Sequence, residues 1–484
     1  MSQENKRIEV SFEHAHDQFW WTVQDKESLN NRQYFRLYNN RVRVLKQKIL
    51  ETAREVIDKD VSFTSLSDVK PNTPVLICGV TIKKCKNMVS VMEEFKKPQC
   101  EDEDELWEQE DAEEEAELNA ENPFAKVTSL CCPQDSVELE DDKQRIPLTG
   151  PEINKDHYVT GNVMGFFGFK NNTEDFVVEK VIRPKLPEQK PWPKKVKDSY
   201  IMFISGFNLN AQISKNEWKM AAFAQLSEFL QGNSLDMKQC DLAQKVARVL
   251  FVGDTLRLSS QDYTRYTVTR IGQKQSFEPH GLEQLDRLME EMTVTCPVTL
   301  MPGLNDICSG LLPQQPMLRK AFLRNNKHSE ANFNLVTNPY GFVYDGVKFL
   351  GMSGQNMDDM LRYTQGRSVI ELMTDLLEHS HICPTCPSTA DGYPYLNRDP
   401  LLITEIPHVF FVGNQDKFAS EMVTLSNGAK VQILVLPRFS QTHEVHLFNP
   451  KTLETVPFEV FVDEDLIEKT HFYANSQSEE MEVD

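Results

Sequence analysis

Long apolar runs are missing from this sequence. None of its 484 residues belongs to an unbroken apolar run of about eighteen, the length that a membrane-spanning helix needs. The opening residues, MSQENKRIEVSFEHAHDQFWW, also lack the apolar core of a secretory signal. We therefore expect no membrane partner and no export from the cell.

Cysteine is too sparse for a disulfide scaffold. The ten cysteines are spread along the whole sequence, as is typical of a protein in the reducing cytosol or nucleus. With 40% hydrophobic and 26% charged residues, the composition is that of a soluble globular protein. A chain of this length is predicted to form two or three domains.

A basic stripe is also absent. The net charge is −21, but residues 101–122 carry 13 acids without Lys or Arg, and residues 476–484 carry four more. Without these two segments the net charge is −4. Affinity for nucleic acid comes largely from basic side chains that neutralise phosphates. We therefore expect contact with DNA to be only weak or indirect.

The N-terminal part of the chain changes from a helical to a strand-like pattern. Residues 1–58 contain an amphipathic helix over 33–57, which we expect to pack against a domain. Residues 59–187 contain short strand-like runs separated by glycines, which predict a small β-barrel. Its acidic insert at about 101–122 is predicted to be a disordered, solvated loop, because like charges repel and nothing apolar is available to bury.

The remaining residues contain a linker, a large domain and a tail. Residues 188–198 are rich in proline and predict a linker, in which Lys194–Lys197 match either a nuclear import pattern or a plain charged segment. Residues 199–470 alternate between strands and helices, which predicts an α/β sandwich with buried parallel strands. Residues 471–484 predict a disordered acidic tail. The fold class is therefore a multidomain chain with a helix, a barrel and an α/β sandwich.

Four strand-like runs of the large domain end in turns that contain Gly206, Gly253, Gly303 and Gly413. In open α/β sheets, functional groups collect at the carboxyl ends of the strands. We therefore expect these turns to converge on one rim.

The turns resemble the metal-binding turns of calcineurin-like metallophosphoesterases, but most ligand residues are replaced. Active members of that family use D-x-H, G-D-x-x-D, G-N-H-D, a lone His and G-H-x-H to hold two metals that activate water. Asp254 is kept here, whereas Arg257 takes the second acidic position. The other ligand positions are taken by Gly206, Asn208, Asn305, Ser353, Asn414 and Asp416. The resemblance implies a rim without catalysis, metal or cofactor.

Motifs along the large domain resemble the small (B) subunits of replicative DNA polymerases, most closely those of polymerase delta. They are VTNPY (336–340), DGVKFLGMSGQN (345–356), HICPTCPST (381–389), GYPYLNRDP (392–400) and PHVFFVGNQDKF (407–418). In the barrel region, VELEDDKQRI and VTGNVMGFFG are also similar to that family. The resemblance extends from the Tyr34 helix to about Pro437, apart from the acidic insert.

This resemblance implies an OB-fold barrel joined to an inactive phosphodiesterase domain. It also implies a non-catalytic scaffold that bridges the Cys-rich C-terminal module of the polymerase delta catalytic subunit to a third, elongated subunit. The work of such a complex is nuclear DNA replication and repair synthesis. Two alternatives stay open: an active metal-dependent phosphodiesterase or 3′–5′ exonuclease, and the small subunit of another B-family polymerase.

Two local sequence patterns can each be interpreted either as a binding site or as part of the structure. His379, His381, Cys383 and Cys386 mimic half of a zinc site, but structural zinc usually draws on two separated ligand pairs, so we favour a structured loop with free thiols. The aromatic residues of GFFGF could stack on bases in an OB-fold groove, but neighbouring acids and glycines favour a core or a protein interface. They are Phe166, Phe167 and Phe169.

Overall fold

The computed structural model describes residues 7–22, 25, 33–87, 129–210, 216–233, 236–257, 280–327 and 332–461. The acidic loop predicted at 101–122 and the acidic tail predicted at 471–484 both lie outside these residues. Among the described residues, none of the helices combines the length and the apolar character that crossing a membrane requires.

The first long helix, α1 (Phe35–Val56), follows the predicted bounds closely. Buried positions recur every four residues along this helix, and all but Arg41 are apolar. They are Leu37, Arg41, Leu45, Ile49 and Ala53. The helix lies against the barrel that follows it, and a Cβ built on Gly165 of the barrel would be 2.6 Å from Ile49 Cγ2. A glycine at this position lets the helix approach the sheet closely.

The β-barrel is closed and has five strands, in the order β2-β3-β4-β6-β5. Burial alternates along β3 and β4, so each strand points every second side chain into the barrel core. The predicted acidic insert falls between β2 and β3 in the sequence. The strands of the barrel are β2 (Val75–Lys84), β3 (Ser136–Glu140), β4 (Arg145–Thr149), β5 (Val163–Lys170) and β6 (Phe176–Ile182).

The rest of the chain forms two six-stranded sheets that pack face to face. One has the order β12-β11-β9-β7-β18-β19 and the other the order β1-β13-β14-β15-β17-β16. Phe203 of the first sheet meets Phe411 of the second with ring centroids 5.5 Å apart. The strands of these two sheets are β1 (Phe12–His14), β7 (Tyr200–Ile204), β9 (Val246–Val252), β11 (Val298–Met301), β12 (Phe333–Leu335), β13 (Tyr340–Tyr344), β14 (Val347–Met352), β15 (Val409–Gln415), β16 (Ala419–Thr424), β17 (Lys430–Pro437), β18 (Glu444–Phe448) and β19 (Thr455–Glu459). Two further short strands, β8 (Leu209–Asn210) and β10 (Leu256–Arg257), pair parallel in a two-stranded sheet of their own.

Helices cover the outer faces of both sheets, which makes the mixed α/β class that the strand and helix rhythm predicts. Strands β7, β9, β11 and β12 are parallel to one another, as are β14, β15 and β17. The helices are α2 (Glu217–Gln231), α3 (Met237–Lys245), α4 (His280–Thr295), α5 (Gln355–Arg362), α6 (Val369–Glu378) and α7 (Phe439–Thr442). Helix α2 ends at Gly232, whose φ of 76° is the left-handed conformation that glycine adopts readily.

Two segments join the sandwich in ways that the sequence pattern did not reveal. Strand β1 pairs antiparallel with β13, although three residues at a sheet edge are too few to show a periodicity. The predicted linker lies against the sandwich, where the Trp192 ring packs on His408 with centroids 4.7 Å apart. The main-chain N–H of Lys197 also donates to Asp345 Oδ2 at 2.6 Å.

Candidate functional site

The strand-end rim is the set of turns that follow β7, β9, β11, β14 and β15, and it joins both sheets. Gly206 N donates to the main-chain oxygen of Gly253 at 3.1 Å, and Gly253 N donates to that of Met301 at 3.1 Å. Asn414 N, from the second sheet, donates to Ser205 Oγ at 2.6 Å. The predicted turns are therefore neighbours in space.

The turns of the rim are packed against one another at close range. A Cβ built on Gly253 would lie 2.4 Å from Ser353 Cβ, and one built on Gly303 would lie 2.3 Å from Asp254 Oδ1. Real Cβ atoms do not approach other atoms so closely, so only glycine fits at these two positions. The turns fill the space between the strand ends with their own backbone.

Asp254 is the carboxylate that matches the metal-binding pattern of the metallophosphoesterases. It is 7% exposed, and its Oδ1 accepts a hydrogen bond from Asn305 N at 2.9 Å. Burial, together with the nearby Asp306, raises the pKa of Asp254 to about 7. The buried pair of Asp254 and Asp306 therefore holds a proton more tightly than two exposed carboxyl groups would.

Asp306 completes the turn after β11 and was not singled out from the sequence. Its carboxylate accepts hydrogen bonds from Gly303 N at 2.7 Å, Leu256 N at 2.8 Å and Thr255 Oγ1 at 2.7 Å. Burial raises its pKa, against the effect of these donors. Its bond to Gly303 N, three residues earlier in the chain, closes the turn after β11.

The amide side chains of the rim bridge turns. Asn414 Nδ2 donates to the main-chain oxygens of Ser353 at 2.7 Å and Val252 at 3.2 Å. Asn208 Nδ2 donates to Ser440 Oγ at 2.9 Å and to the main-chain oxygen of Gly206 at 3.2 Å. Both nitrogens are thus used inside the chain, and an amide nitrogen cannot act as an imidazole ligand does.

Arg438 is a cation of the rim that was not singled out from the sequence. Its Nη1 donates to Asp416 Oδ1 at 2.8 Å, and its Nη2 lies 3.5 Å from Asp358 Oδ2. Arg438 is 3% exposed, whereas Arg257 lies in β10, which pairs with β8. Burial raises the pKa of Asp358 to about 6. The sequence signal for Arg438 was its position directly after the buried strand β17.

The strand-end rim carries no histidine at the positions that match the metal-binding pattern. A pair of divalent metals needs a bridging carboxylate and several neutral imidazoles, whereas these positions carry Gly206, Asn208, Asn305, Ser353 and Asn414 beside Asp254. A buried guanidinium, that of Arg438, adds a positive charge. Among the described residues, no group of three His, Cys, Asp or Glu side chains is placed to hold a metal ion.

The loop that carries His381, Cys383 and Cys386, here called the His-Cys loop, forms a buried network of charged and polar side chains. His381 Nε2 lies 3.0 Å from Asp399 Oδ2, the same oxygen that accepts from Arg41 Nε at 2.7 Å. Cys383 and Cys386 are buried, and burial raises the pKa of the Cys383 thiol to about 12. These contacts support the interpretation as a structured loop with free thiols.

Arg41 was not predicted as a functional residue, although its position in the sequence indicates that it is buried. It stands between Leu37 and Leu45 on the buried face of α1, at the four-residue spacing of the apolar stripe. Its Nη1 donates to the main-chain oxygens of Pro384 at 2.8 Å and Gly161 at 3.2 Å, so it joins helix, loop and barrel. A charged residue inside an apolar stripe indicates a buried partner.

The aromatic residues of GFFGF do not form an exposed stacking surface. Phe166 is fully buried in the barrel core, and Phe167 is partly buried against the cluster that includes Leu45 and Ile49 of α1. Within the described residues, this supports the core interpretation over nucleic-acid stacking.

Known families match both halves of the chain. The family described as "DNA polymerase delta subunit OB-fold domain" matches residues 33–181, and the family of the alpha/epsilon B subunits of DNA polymerase matches residues 201–420. Over most of its length the chain is therefore similar to DNA polymerase delta small subunits, and the match over residues 33–181 supports an OB-fold for its barrel.

Relatives with this name cover most of the chain. The DNA polymerase delta small subunit of Oryza sativa subsp. japonica is 27% identical over 88% of this chain and 93% of its own length. A probable DNA polymerase delta small subunit of Caenorhabditis elegans is 28% identical over 91% and 95%, respectively. The DNA polymerase II small subunit of Methanothermobacter thermautotrophicus is 25% identical over 57% and 56%.

Proposed function

We propose that this chain is a non-catalytic scaffold of DNA polymerase delta whose phosphodiesterase-like rim has lost its catalytic role. The chain would bridge the Cys-rich C-terminal module of the catalytic subunit and a third, elongated subunit, in the nucleus. The observation that carries this proposal is the rim itself, where Asp254, Asn208 and Asn414 bond to the chain's own turns. The similarity to DNA polymerase delta small subunits over most of the chain supports the subunit role.

The first experiment measures nuclease activity of the purified chain on single-stranded DNA with added Mn²⁺. We expect no hydrolysis that depends on Asp254, since one partly protonated carboxyl group cannot hold two metals. Asp254→Asn is compared with Asp142→Asn, which changes an exposed aspartate of the barrel. Activity that disappears in the first variant and persists in the second contradicts a non-catalytic role.

The second experiment tests bridging by co-expressing the chain with the catalytic and third subunits of polymerase delta. We expect a three-part complex that survives gel filtration, because permanent subunit interfaces commonly bury more than about 2,000 Å². When the chain is omitted, the other two subunits should no longer co-purify. Continued co-purification contradicts bridging, and preferential capture of the large subunit of another B-family polymerase contradicts the assignment to delta.

A further inference from the structure

The basic run at residues 194–197 lies in a proline-rich segment that is attached to the sandwich. We call residues 189–198 the attached segment. The side chains of Lys194, Lys195 and Lys197 are exposed, whereas Val196 packs against a hydrophobic cluster formed by residues of both sheets. The way in which this segment is held decides what a partner can reach.

Side chains before the basic run hold it to the second sheet. Gln189 Nε2 donates to the main-chain oxygens of Pro407 at 3.0 Å and Lys430 at 2.8 Å. Trp192 Nε1 donates to the same oxygen of Lys430 at 3.2 Å, and its ring packs on His408. The chain is therefore fixed just before the first lysine of the run.

The last lysine of the run is held by both its main chain and its side chain. Lys197 N donates to Asp345 Oδ2 at 2.6 Å, and Lys197 Nζ donates to the main-chain oxygen of Glu9 at 2.5 Å. The next residue, Asp198, forms an ion pair with Lys245 at 2.6 Å. The run is therefore held on both sides, and the ammonium group of one of its lysines is already bonded within the chain.

This attachment limits how a receptor can read the run. In an extended peptide, successive side chains point to opposite faces, so a receptor groove has to contact both faces and the main chain. Here Val196 faces the core and Lys197 Nζ is bonded to the chain, so the run enters such a groove only after the attached segment leaves the sandwich. Leaving breaks the contacts above, so the form that can bind is a small fraction of the folded chain.

We propose that residues 194–197 are an import signal that the folded chain masks. A receptor with an acidic groove for Lys-rich peptides binds the free segment, and it binds the folded chain only when residues 189–198 detach. The folded chain would then reach the nucleus together with another subunit that carries a signal of its own. The nuclear destination rests on the proposed function, whereas the masking does not.

The test measures, by fluorescence anisotropy, how tightly a purified import receptor of this class binds a synthetic peptide of residues 188–199 and the full chain. We expect the full chain to bind at least about 100-fold more weakly, since apparent affinity falls with the fraction of competent chains. Lys194→Ala together with Lys195→Ala should abolish binding of the peptide. The proposal is overturned if the full chain binds as tightly as the peptide, or if the peptide does not bind.

Two variants that loosen the attached segment should each tighten binding of the full chain about tenfold, because each removes one anchoring contact. Trp192→Ala removes the ring that packs on His408. Asp345→Gly removes the carboxylate that holds Lys197 N, and glycine suits the φ of 49° at this position. Asp142→Gly, at an exposed aspartate of the barrel, should leave the affinity unchanged. Unchanged affinity in both loosened variants contradicts masking.

A full chain with a second copy of residues 188–199, joined to its N-terminus by a Gly-Ser linker, controls for misfolding. Because this copy is free, the protein should bind as tightly as the peptide. If it does not, the weak binding of the full chain has another cause and the proposal is overturned. Trypsin measures detachment without the receptor: cleavage after Lys194 and Lys195 should be faster in Trp192→Ala than in the unchanged chain, and equal rates contradict the proposal.

These measurements separate this inference from the proposed function. If the chain assembles with the other polymerase subunits but the receptor does not bind the peptide, the proposed function stands and the inference fails. If the receptor binds the peptide and not the folded chain, while the chain binds no polymerase subunit, the masking stands and the proposed function fails.

Discussion

Two buried carboxyl groups of this chain, Asp399 and Asp254, behave in opposite ways. Asp399 lies between Arg41 and His381, and although burial opposes ionisation, Arg41 and His381 hold its pKa well below the ordinary value. Asp254 is also buried, but its nearest titratable neighbour is Asp306, and its pKa is raised to about 7. Burial alone does not decide the charge of a side chain, because the neighbouring charge can outweigh it.

This difference separates the junction around Asp399 from the strand-end rim around Asp254. Arg41 and Asp399 connect α1, the barrel and the His-Cys loop, and thereby fix the barrel against the sandwich. The strand-end rim has no comparable cation beside Asp254 itself, since Arg438 bonds to Asp416 and approaches Asp358. We infer that charge is stabilising at the junction and unfavourable at the rim. Two of the experiments below test this difference in charge, and one tests how closely the rim is packed.

The largest loss of stability is expected at the junction, where Arg41 pairs with Asp399. Arg41→Met leaves Asp399 charged, buried and without its main partner, so it should lower the free energy of unfolding by about 3–5 kcal/mol. Urea unfolding measures this loss, and Arg43→Met on the exposed side of the same helix should cost less than about 0.5 kcal/mol. The double variant Arg41→Met with Asp399→Leu should recover part of the loss. If Arg41→Met lowers the free energy of unfolding no more than Arg43→Met does, the charge at the junction is not stabilising.

A smaller loss of stability is expected when a methyl group is added at Gly303 in the strand-end rim. Gly303→Ala places a Cβ 2.3 Å from Asp254 Oδ1 and from its main-chain nitrogen, so the turns must move apart. We expect a loss of about 1–3 kcal/mol in unfolding free energy, the usual cost of overpacking. Gly310→Ala is the matched control, because a Cβ there meets nothing within 4 Å. Equal stability of the two variants would show that the rim is not closely packed.

The third effect is the pH dependence that Asp254 adds. Its pKa is 3.8 when unperturbed and about 7 in the folded chain, so the folded state binds the proton more tightly. The stability that this group contributes is fully present below pH 4 and is lost as pH rises towards 7, with a slope of at most about 1.4 kcal/mol per pH unit. Asp254→Asn should therefore stabilise the chain more at pH 8 than at pH 5.

Urea unfolding at both pH values measures this difference. Asp142→Asn, at an exposed position, should shift stability equally at both. A larger gain at pH 5 than at pH 8 for Asp254→Asn would show that Asp254 is ionised and stabilised in the fold, like Asp399.

Local patterns were sufficient to predict the elements that carry a clear periodicity. The helix α1 over 33–57, for example, follows from the spacing of its apolar side chains. The convergence of the glycine turns also followed from strand order, because carboxyl ends of parallel strands share an edge. Strand β1 could not be predicted in this way, since its pairing with β13 depends on residues more than 300 positions away.

The sequence by itself determined the residue types of the rim, and with them the loss of the imidazoles that a metal pair needs. It also determined that a charged residue, Arg41, interrupts an apolar stripe. Only the tertiary structure decided which groups these residues meet: Asp306 for Asp254, and Asp399 for Arg41. The physical reason is that the energy of a buried charge depends on distances of a few ångströms between segments that are far apart in the chain.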